Sequence, residues 1–201
     1  MLELPYVLGV TGASAQPLAE RTIKLLLEAN KTVHLVLSKG SYKVWASERQ
    51  ITIPSDTYTQ ENFWRDRLNT EKGNLICHSA HNLSAAIASG SYKTKAMVII
   101  PCSMGTVGRI SSGISSNLIE RSADVHIKES RPLIVCPRES PLSLIHLNNL
   151  TLLAKAGVKI FPPIPSWYSQ PQNIEEMIDF IVVRLFDSLG EDLKEVRRWG
   201  Q

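Results

Sequence analysis

Short apolar runs rich in β-branched residues alternate along this chain with longer segments whose apolar positions recur at helical spacing. The apolar runs predict strands at residues 6–10, 32–37, 96–101, 133–135 and 158–161. Helical segments are predicted at residues 17–30, 143–156 and 173–189, the last with Asn173 and Glu176 as its capping pair. Residues 38–48 are predicted to form a loop and a helix, and residues 104–123 to be largely helix. Strands that alternate with helices imply a parallel sheet covered on both faces. The pattern therefore predicts a three-layer α/β fold.

Two stretches depart from this alternation. Residues 50–74 are polar around a possible short helix that ends near Arg67, and we expect a surface insertion there. The tail, residues 191–201, is largely charged but includes Trp199, whose large apolar ring near a terminus suggests docking against another surface. Both stretches are expected to belong to one domain that spans residues 1–201.

Composition and charge narrow the class of protein. A chain of 201 residues suits one domain, and 43% hydrophobic with 20% charged residues is ordinary globular usage. The net charge of +3 is too small to indicate a nucleic-acid platform. Three cysteines without a Cys-x-x-Cys pair, and a start that lacks a signal peptide, favour a cytoplasmic protein with free thiols. The apolar stretches stay below about 18 residues, so no membrane span is predicted.

Two loops combine glycine with hydroxyl side chains directly after apolar strands. They read Gly9-Val10-Thr11-Gly12-Ala13-Ser14 and Pro101-Cys102-Ser103-Met104-Gly105-Thr106. Ligands of open α/β sheets bind at the carboxyl ends of strands, where the first amides of the next helix favour anions. The alternative is a tight turn and a capped helix, since Ser and Thr are preferred caps. The dinucleotide and P-loop glycine patterns are absent. The two loops together favour a ligand that bears a phosphate.

Other polar groups admit bland interpretations beside functional ones. Arg138-Glu139 follow the strand at 133–135 and so lie where sites form, although scattered charges usually belong to a solvated surface. Ser89-Gly90-Ser91 suits a phosphate grip or, more simply, a surface turn. Arg184 borders the apolar stripe of the last helix, where its stem can pack while its head stays in water.

The histidines and cysteines do not predict a metal site. Cys77, His78 and His81 form the nearest arrangement, but no second ligand pair follows at a suitable spacing, and a surface loop or helix start is favoured. His34 is most simply structural, and His126 has no partner that the sequence identifies.

The ordered set of motifs resembles the UbiX flavin prenyltransferases. It comprises Gly12-Ala13-Ser14, Ser89-Gly90-Ser91, Pro101–Thr106, Asn117-Leu118-Ile119-Glu120-Arg121, Lys128-Glu129, Pro137-Arg138-Glu139, Ile145-His146-Leu147, Pro162-Pro163, Tyr168, Gln170-Pro171-Gln172 and Arg184. The resemblance covers most of residues 6–48 and 85–189 and leaves residues 50–74 unmatched. A single motif is weak, but the ordered set is highly specific.

The resemblance implies a Rossmann-like or flavodoxin-like flavin-binding domain that works as a homo-oligomer, a dodecamer in known members. The implied reaction joins a dimethylallyl group from dimethylallyl phosphate to N5 and C6 of reduced FMN. The product, prenylated FMN, goes to a UbiD-type decarboxylase, as in ubiquinone biosynthesis. No nucleic-acid partner is implied.

The resemblance also implies roles for particular residues. The positions that match FMN-binding residues are Gly12, Ala13, Ser14, Ser38, Ser103, Met104, Gly105, Thr106 and Arg138. Those that match residues for the dimethylallyl phosphate are Ser89, Gly90, Ser91, Arg121, Lys128, Tyr168 and Arg184. The positions tied to catalysis are Glu48, Glu139, Lys128 and Ser14.

These residue types suit the implied chemistry. Breaking an allylic carbon–oxygen bond leaves a cation and a phosphate dianion, which Arg and Lys stabilise through charge-assisted hydrogen bonds. A carboxylic acid beside the phosphate can protonate the leaving group and later remove the C6 proton of the flavin. The absence of an aspartate-rich D-D-x-x-D motif favours a reaction without a metal.

Two departures and three rivals remain at this point. Leu83 stands where some members have Trp, so the resemblance implies a prenyl site without that aromatic wall, and Ala15 stands where glycine is common. A related flavin-dependent cysteine decarboxylase would carry a catalytic His and a P-A-S-A-N-T-like motif, and neither is found. A non-catalytic FMN carrier would have lost some of the phosphate-binding residues, but here they are all present. A nicotinamide dehydrogenase lacks its glycine fingerprint.

Overall fold

One parallel sheet organises the chain, for which a computed structural model describes residues 3–191; Trp199 lies outside them. The strands are β1 Tyr6–Val10, β2 Thr32–Leu37, β3 Asn74–Ser79, β4 Ala96–Cys102, β5 Leu133–Pro137 and β6 Lys159–Ile160. Their spatial order is 3-2-1-4-5-6, the order of the doubly wound Rossmann arrangement. The predicted α/β fold is confirmed, and the point at which the winding reverses lies between β1 and β4.

Within residues 3–191, seven α-helices flank this sheet. They are α1 Gln16–Glu28, α2 Lys39–Arg49, α3 Thr57–Leu68, α4 Met104–Ser111, α5 Leu118–Lys128, α6 Leu144–Lys155 and α7 Ile174–Asp187. In α1 the proline lies in the first turn, where its missing N–H costs nothing. Asn173 caps α7 and accepts a hydrogen bond from the Glu176 amide, as predicted. In the described range 3–191, no helix is both long and apolar enough to cross a membrane.

The strands bury both faces, as their nearly continuous apolar runs require. In β1 the side chains of Tyr6, Leu8 and Val10 enter a core built with α1, α2, α3 and α7. Val7, between them, enters the second core, which α4, α5 and α6 cover. Strand periodicity thus assigns alternate residues to opposite layers.

Residues 104–123 are largely helical, as the pattern predicts, and the structure divides them between two helices, α4 and α5. Gly113 adopts φ 72°, a left-handed conformation that ends α4, and Asn117 caps the start of α5. The buried Glu120 carboxylate accepts hydrogen bonds from the Ser116 amide and hydroxyl and from Arg109. Burial acts to raise the pKa of Glu120, but these bonds outweigh it and lower that pKa. The break is therefore fixed by buried polar contacts, which helical periodicity does not reveal.

Residues 50–74 need a second correction, since they are not merely a surface insertion. They contain α3, whose Trp64 is fully buried and meets Trp45 of α2 edge to face at 5.6 Å. Asn74 begins β3, an edge strand that the sequence analysis missed. The polar composition belongs to the outer face of α3, and the polar ends of β3 hide its short buried stretch.

Pairing of β2 with β3 places two histidines side by side. His34 Nδ1 lies 2.7 Å from His78 Nε2, and His34 Nε2 lies 2.9 Å from the Tyr92 hydroxyl. His34 is thus structural, as expected. His126, for which no partner was foreseen, is buried between the Thr94 hydroxyl and the Ser122 carbonyl at 2.9 and 2.7 Å.

We expect the His34 site to destabilise the fold in acid. Burial and the neighbouring His78 lower the pKa of His34 to about 4, whereas an unfolded histidine titrates near 6.5. The unfolded state therefore binds more protons between these values, and His34 should cost up to about 3 kcal/mol of stability as pH falls through this window. Urea unfolding at several pH values measures how the free energy of unfolding changes with pH. Between about pH 4 and 6.5 this free energy should rise less steeply with pH for His34→Gln than for the unchanged chain. The exposed His81, changed to Gln, is the control, and equal slopes for all three proteins would contradict this account.

Candidate active site

Hydrogen bonds tie together the loops that follow β1, β4 and β5. The buried Thr11 hydroxyl donates to the Pro101 carbonyl at 2.9 Å and accepts from the Ser103 amide at 2.7 Å. The Arg138 amide donates to the Cys102 carbonyl at 3.1 Å. The two glycine- and hydroxyl-bearing loops predicted from the sequence thus meet at the reversal point, where open α/β sheets bind ligands.

The first turn of α2, which follows β2, joins them through a contact between two glycines, Gly12 and Gly40. A Cβ on Gly12 would lie 2.8 Å from the Gly40 Cα, so neither residue has room for a side chain. Ala15, at the start of α1, adopts φ 80°, a left-handed conformation that glycine tolerates better. The backbone at Ala15 therefore favours glycine, which is the residue common at this position in the family that the sequence resembles.

Gly12→Ala should weaken binding of the FMN that the resemblance implies about tenfold or more, because a Cβ must push the β1 loop and the first turn of α2 apart and such overpacking typically costs about 1–3 kcal/mol. Gly108→Ala is the matched control, since only the flexible tip of Asn149 lies near its new methyl group, at 3.4 Å. Flavin fluorescence titration measures both affinities. Equal FMN affinity for Gly12→Ala and the unchanged chain would show that the close contact between Gly12 and Gly40 does not shape the site.

Two predicted FMN-binding serines cap helices whose first turns face this edge of the sheet. Ser38 accepts a hydrogen bond from the Ser41 amide, and Ser103 accepts one from the Thr106 amide. Met104 and Thr106 are buried, while Gly105 is exposed. Each serine accepts a hydrogen bond from the third amide of its helix, so the cap leaves the first two amides of the turn available to a ligand. The capping and binding interpretations are therefore compatible here.

Ser14 and Glu48 are adjacent although 34 positions separate them in the sequence. The Ser14 hydroxyl donates to the Glu48 carboxylate at 3.1 Å. Ser14 is half-buried and Glu48 is exposed at the end of α2. Two residues singled out for catalysis thus form a hydroxyl–carboxylate pair beside the β1 loop, and the carboxylate can hold or take up a proton there.

A cleft of about 400 Å³ opens beside Arg138 and Glu139. Its opposite wall is apolar and includes Leu142, Leu150 and Ile164. The Glu139 carboxylate accepts a hydrogen bond from the Ser140 amide at 3.0 Å. The cleft therefore places one cation and one anion next to a surface suited to a small apolar group.

Arg121 and Lys128, two cations predicted to bind the phosphate of the substrate, lie on α5, and Lys128 is distant from this cleft. Helix α5 begins beside Ala80, after the carboxyl end of β3, and runs back antiparallel to the strands. Its 11 residues span about 16 Å. Lys128, at the end of the helix, therefore lies near the amino ends of the strands, which we call the amino edge of the sheet. Ser89, Gly90 and Ser91 precede β4 and lie at that amino edge too.

The loop at residues 89–92 is held firmly by its neighbours. Arg131 donates to the carbonyls of Gly90 and Tyr92, the latter at 2.7 Å. Arg121 donates to the Ala88 carbonyl at 3.1 Å. A Cβ on Gly90 would lie 2.3 Å from the Glu129 carboxylate, so the loop is pressed against α5. These contacts go beyond those of a simple surface turn. Arg131, which holds this loop, is a residue that the sequence analysis missed.

Tyr168, which precedes α7, packs against the helix beside Arg184. The Tyr168 ring meets Phe180 edge to face at 5.5 Å, and Arg184 follows Phe180 by one helical turn. Arg184 is exposed and forms an ion pair with Asp187 at 3.0 Å. Both side chains therefore face outwards rather than into the loops that follow β1 and β4.

Gln16 is a further residue that the sequence analysis missed. This fully buried amide donates to the carbonyls of Thr11 and Ala13 at 2.8 and 2.7 Å, and it accepts from the Ser41 hydroxyl at 3.1 Å. It thereby fixes the shape of the β1 loop from behind. A glutamine in the first turn of a helix carries no pattern that would have marked it.

The remaining candidates lie outside this site. Cys77 and His78 lie on β3, a strand rather than the loop or helix start expected, and no group of three metal-binding side chains occurs within residues 3–191. Leu83 is half-exposed in the turn after β3. Burial raises the pKa of all three cysteines, which favours the neutral thiol at each of them.

Comparison with known proteins gives full-length matches. The Flavoprotein family model matches residues 2–186. A flavin prenyltransferase UbiX of Synechocystis sp. is 53% identical over 196 residues, which are 97% of this chain and 95% of that protein. The crystal structure of AnUbiX (PadA1) in complex with FMN and dimethylallyl pyrophosphate gives a TM-score of 0.88 at 33% identity, covering 99% of this chain and 98% of that one. A dodecameric FMN-dependent Ubix-like decarboxylase from Escherichia coli O157:H7 gives 0.86 at 33% identity, covering 98% and 100%.

Proposed function

The chain belongs to the UbiX family of flavin prenyltransferases, and from that premise we propose that it joins a dimethylallyl group to N5 and C6 of reduced FMN. The observation that carries this proposal is the convergence of the β1, β2 and β4 loops on one edge of the sheet. There, hydroxyl groups and helix-start amides surround a contact that only glycines permit. Such a cradle suits the phosphate and the flat edge of FMN.

The residues of the cradle would divide the work of binding. Thr11 and Gln16 hold the loop, while the first amides of α2 and α4 and the Arg138 guanidinium stand ready for a phosphate. FMN, when bound and reduced, supplies the nucleophilic N5 and C6 atoms. Ser14, oriented by Glu48, would lie at the edge of the ring system and fix a proton there.

Departure of the phosphate from dimethylallyl phosphate requires cations and a proton donor. Glu139, beside Arg138 in the cleft, would protonate the leaving phosphate and later accept the C6 proton. The apolar wall opposite them would exclude water from the dimethylallyl group. Arg121, Lys128, Tyr168 and Arg184 remain the proposed ligands of the phosphate.

These ligands support a site shared between copies of the chain. Lys128 and the loop at 89–91 lie at the amino edge, at least a helix length from the cradle, so one copy cannot direct both groups to one substrate molecule. A homo-oligomer in which the amino edge of one copy faces the cradle of another would bring them together. The Ubix-like decarboxylase from Escherichia coli is dodecameric, which supports a homo-oligomer for this chain.

The later fate of the product is also part of the proposal. Prenylated FMN would pass to a UbiD-type decarboxylase in the cytoplasm, including in ubiquinone biosynthesis. The reaction without a metal also remains a prediction, which a chelator-treated assay tests. The rival cysteine decarboxylase is not favoured, because relatives that match over nearly the full length are named flavin prenyltransferases.

The experiment that tests the proposal is anaerobic incubation with reduced FMN and a dimethylallyl donor, followed by mass analysis of the bound flavin. The monophosphate and the diphosphate should be compared, since the AnUbiX complex contains the diphosphate. A flavin heavier by one C5H8 unit is expected. Unchanged but tightly bound FMN with both donors would favour the carrier instead.

A further inference from the structure

A chain of three polar side chains runs from β3 across β2 to the loop at residues 89–92. His34 of β2 is 3% exposed and lies on the same face of the strand as Val36, which belongs to the second core. His34 Nδ1 lies 2.7 Å from His78 Nε2, and His34 Nε2 lies 2.9 Å from the Tyr92 hydroxyl. Both ring nitrogens of this buried histidine are therefore hydrogen-bonded, as its apolar surroundings require.

The hydrogen bonds of this chain all run in one direction. Only one proton fits between the two facing ring nitrogens of His34 and His78, so each arrangement fixes the next bond. Either His78 donates to His34 and His34 donates to Tyr92, or the Tyr92 hydroxyl donates to His34 and His34 donates to His78. In both cases a ring that belongs to a buried strand holds the tyrosine hydroxyl. Loss of that hydroxyl would leave a buried nitrogen unsatisfied, which is costly.

Tyr92 in turn closes the loop that precedes β4. Its amide donates to the Ser89 carbonyl at 3.3 Å, and its ring packs against the second core. Arg131 donates to the carbonyls of Gly90 and Tyr92. The loop is therefore anchored in two ways, through the Tyr92 hydroxyl to the sheet and through its own carbonyls to Arg131.

The anchored loop presents groups that suit a phosphate. Ser89 and Ser91 are exposed, and their hydroxyl oxygens lie 2.9 Å apart. Gly90 between them is pressed against Glu129, whose carboxylate lies 4.0 Å from Lys128 Nζ. Two hydroxyls and a cation thus lie on one small stretch of surface, and these are donors that a phosphate accepts. A loop that is already held in place loses less conformational freedom when it binds its ligand.

We propose that Tyr92, held by the His34–His78 pair, is a positioning residue that fixes the Ser89 and Ser91 hydroxyls for the phosphate of the dimethylallyl donor. The anchoring of the loop follows from these contacts alone, whereas its effect on the donor rests on the proposed function.

Tyr92→Phe removes the hydroxyl and keeps the ring, and Tyr42→Phe is the matched control. Both tyrosines are half-buried against an apolar core, and the Tyr42 hydroxyl accepts a hydrogen bond from Gln60 at 2.8 Å. Hydrogen–deuterium exchange of the full-length proteins, without flavin or donor, measures the loop directly. Amides at residues 89–92 should exchange about three- to tenfold faster in Tyr92→Phe, because one buried hydrogen bond is lost. Tyr42→Phe should leave their exchange unchanged.

Steady-state prenylation of reduced FMN then measures the effect on the donor. In Tyr92→Phe the KM for dimethylallyl monophosphate should rise about three- to tenfold, while kcat and the affinity for FMN stay close to those of the unchanged protein. A merely structural loss would lower the amount of active protein and leave this KM as it is. Tyr42→Phe should change neither KM nor kcat.

Three results would overturn the proposal: unchanged exchange at residues 89–92 in Tyr92→Phe, equal acceleration in both variants, or an unchanged KM despite faster exchange. Failure of the proposed function has a different appearance, since the unchanged protein itself would then form no prenylated flavin. The exchange measurement contains no substrate, so it decides in either case whether Tyr92 anchors the loop.

Discussion

Glu139→Gln should lose about 10²–10⁴-fold in the rate of flavin prenylation while it binds FMN as tightly as the unchanged protein. The amide keeps the size and the polar contacts of the side chain, including an oxygen that can accept from the Ser140 amide. It cannot, however, donate a proton to the departing phosphate or take one from C6. The expected loss is therefore in turnover alone.

Two measurements separate this result from its alternatives. Single-turnover rates are followed by the flavin spectrum, and FMN affinity is obtained by titration. Glu71→Gln, an exposed glutamate before β3 and away from the cleft, should change neither quantity. If Glu139→Gln retained the full rate, Glu139 would not handle the proton, and Glu48 would be the next carboxylate to examine.

Lys128→Met should abolish most activity, and mixed assemblies of Lys128→Met and Glu139→Gln chains should recover part of it. The two residues lie at opposite edges of the sheet within one chain, so a complete site needs Glu139 from one copy and Lys128 from another. In random assemblies of the two variants, roughly a quarter of the sites combine two intact contributions, which sets the expected activity relative to the unchanged protein.

The control for this experiment uses two residues at the same edge. Glu48 and Glu139 both lie at the carboxyl edge of one copy, so mixtures of Glu48→Gln with Glu139→Gln should show no recovery. The two variants carry different affinity tags, are co-expressed and are purified through both tags. Activity of the Lys128→Met mixture no higher than that of either variant alone would contradict a shared site.

The loops of the site could be predicted because strand direction alone determines where they meet. Thr11 and Ser103 follow two apolar strands, and parallel strands carry their following residues to the same edge. The sheet with helices on both faces followed from the same alternation. These inferences needed only local hydrophobic patterns and the rules of parallel sheets.

Other features depend on contacts that no local pattern records. The position of Lys128 at the amino edge follows from the length and direction of α5, and the helical pattern over residues 104–123 does not show where α5 begins. The break between α4 and α5 depends on Glu120, which looks like a surface residue in the sequence but is fully buried. The pairing of His34 with His78 requires the register of β3, a strand too short and polar at its ends to be recognised.

The measurement that tests the central claim most directly is the mass of the flavin recovered after anaerobic incubation of the unchanged protein with reduced FMN and dimethylallyl monophosphate. A flavin heavier by one C5H8 unit, formed only with the protein and the donor together, is the predicted result. FMN of unchanged mass, still bound to a fully assembled protein with either donor, would contradict the assignment of prenyl transfer to this chain.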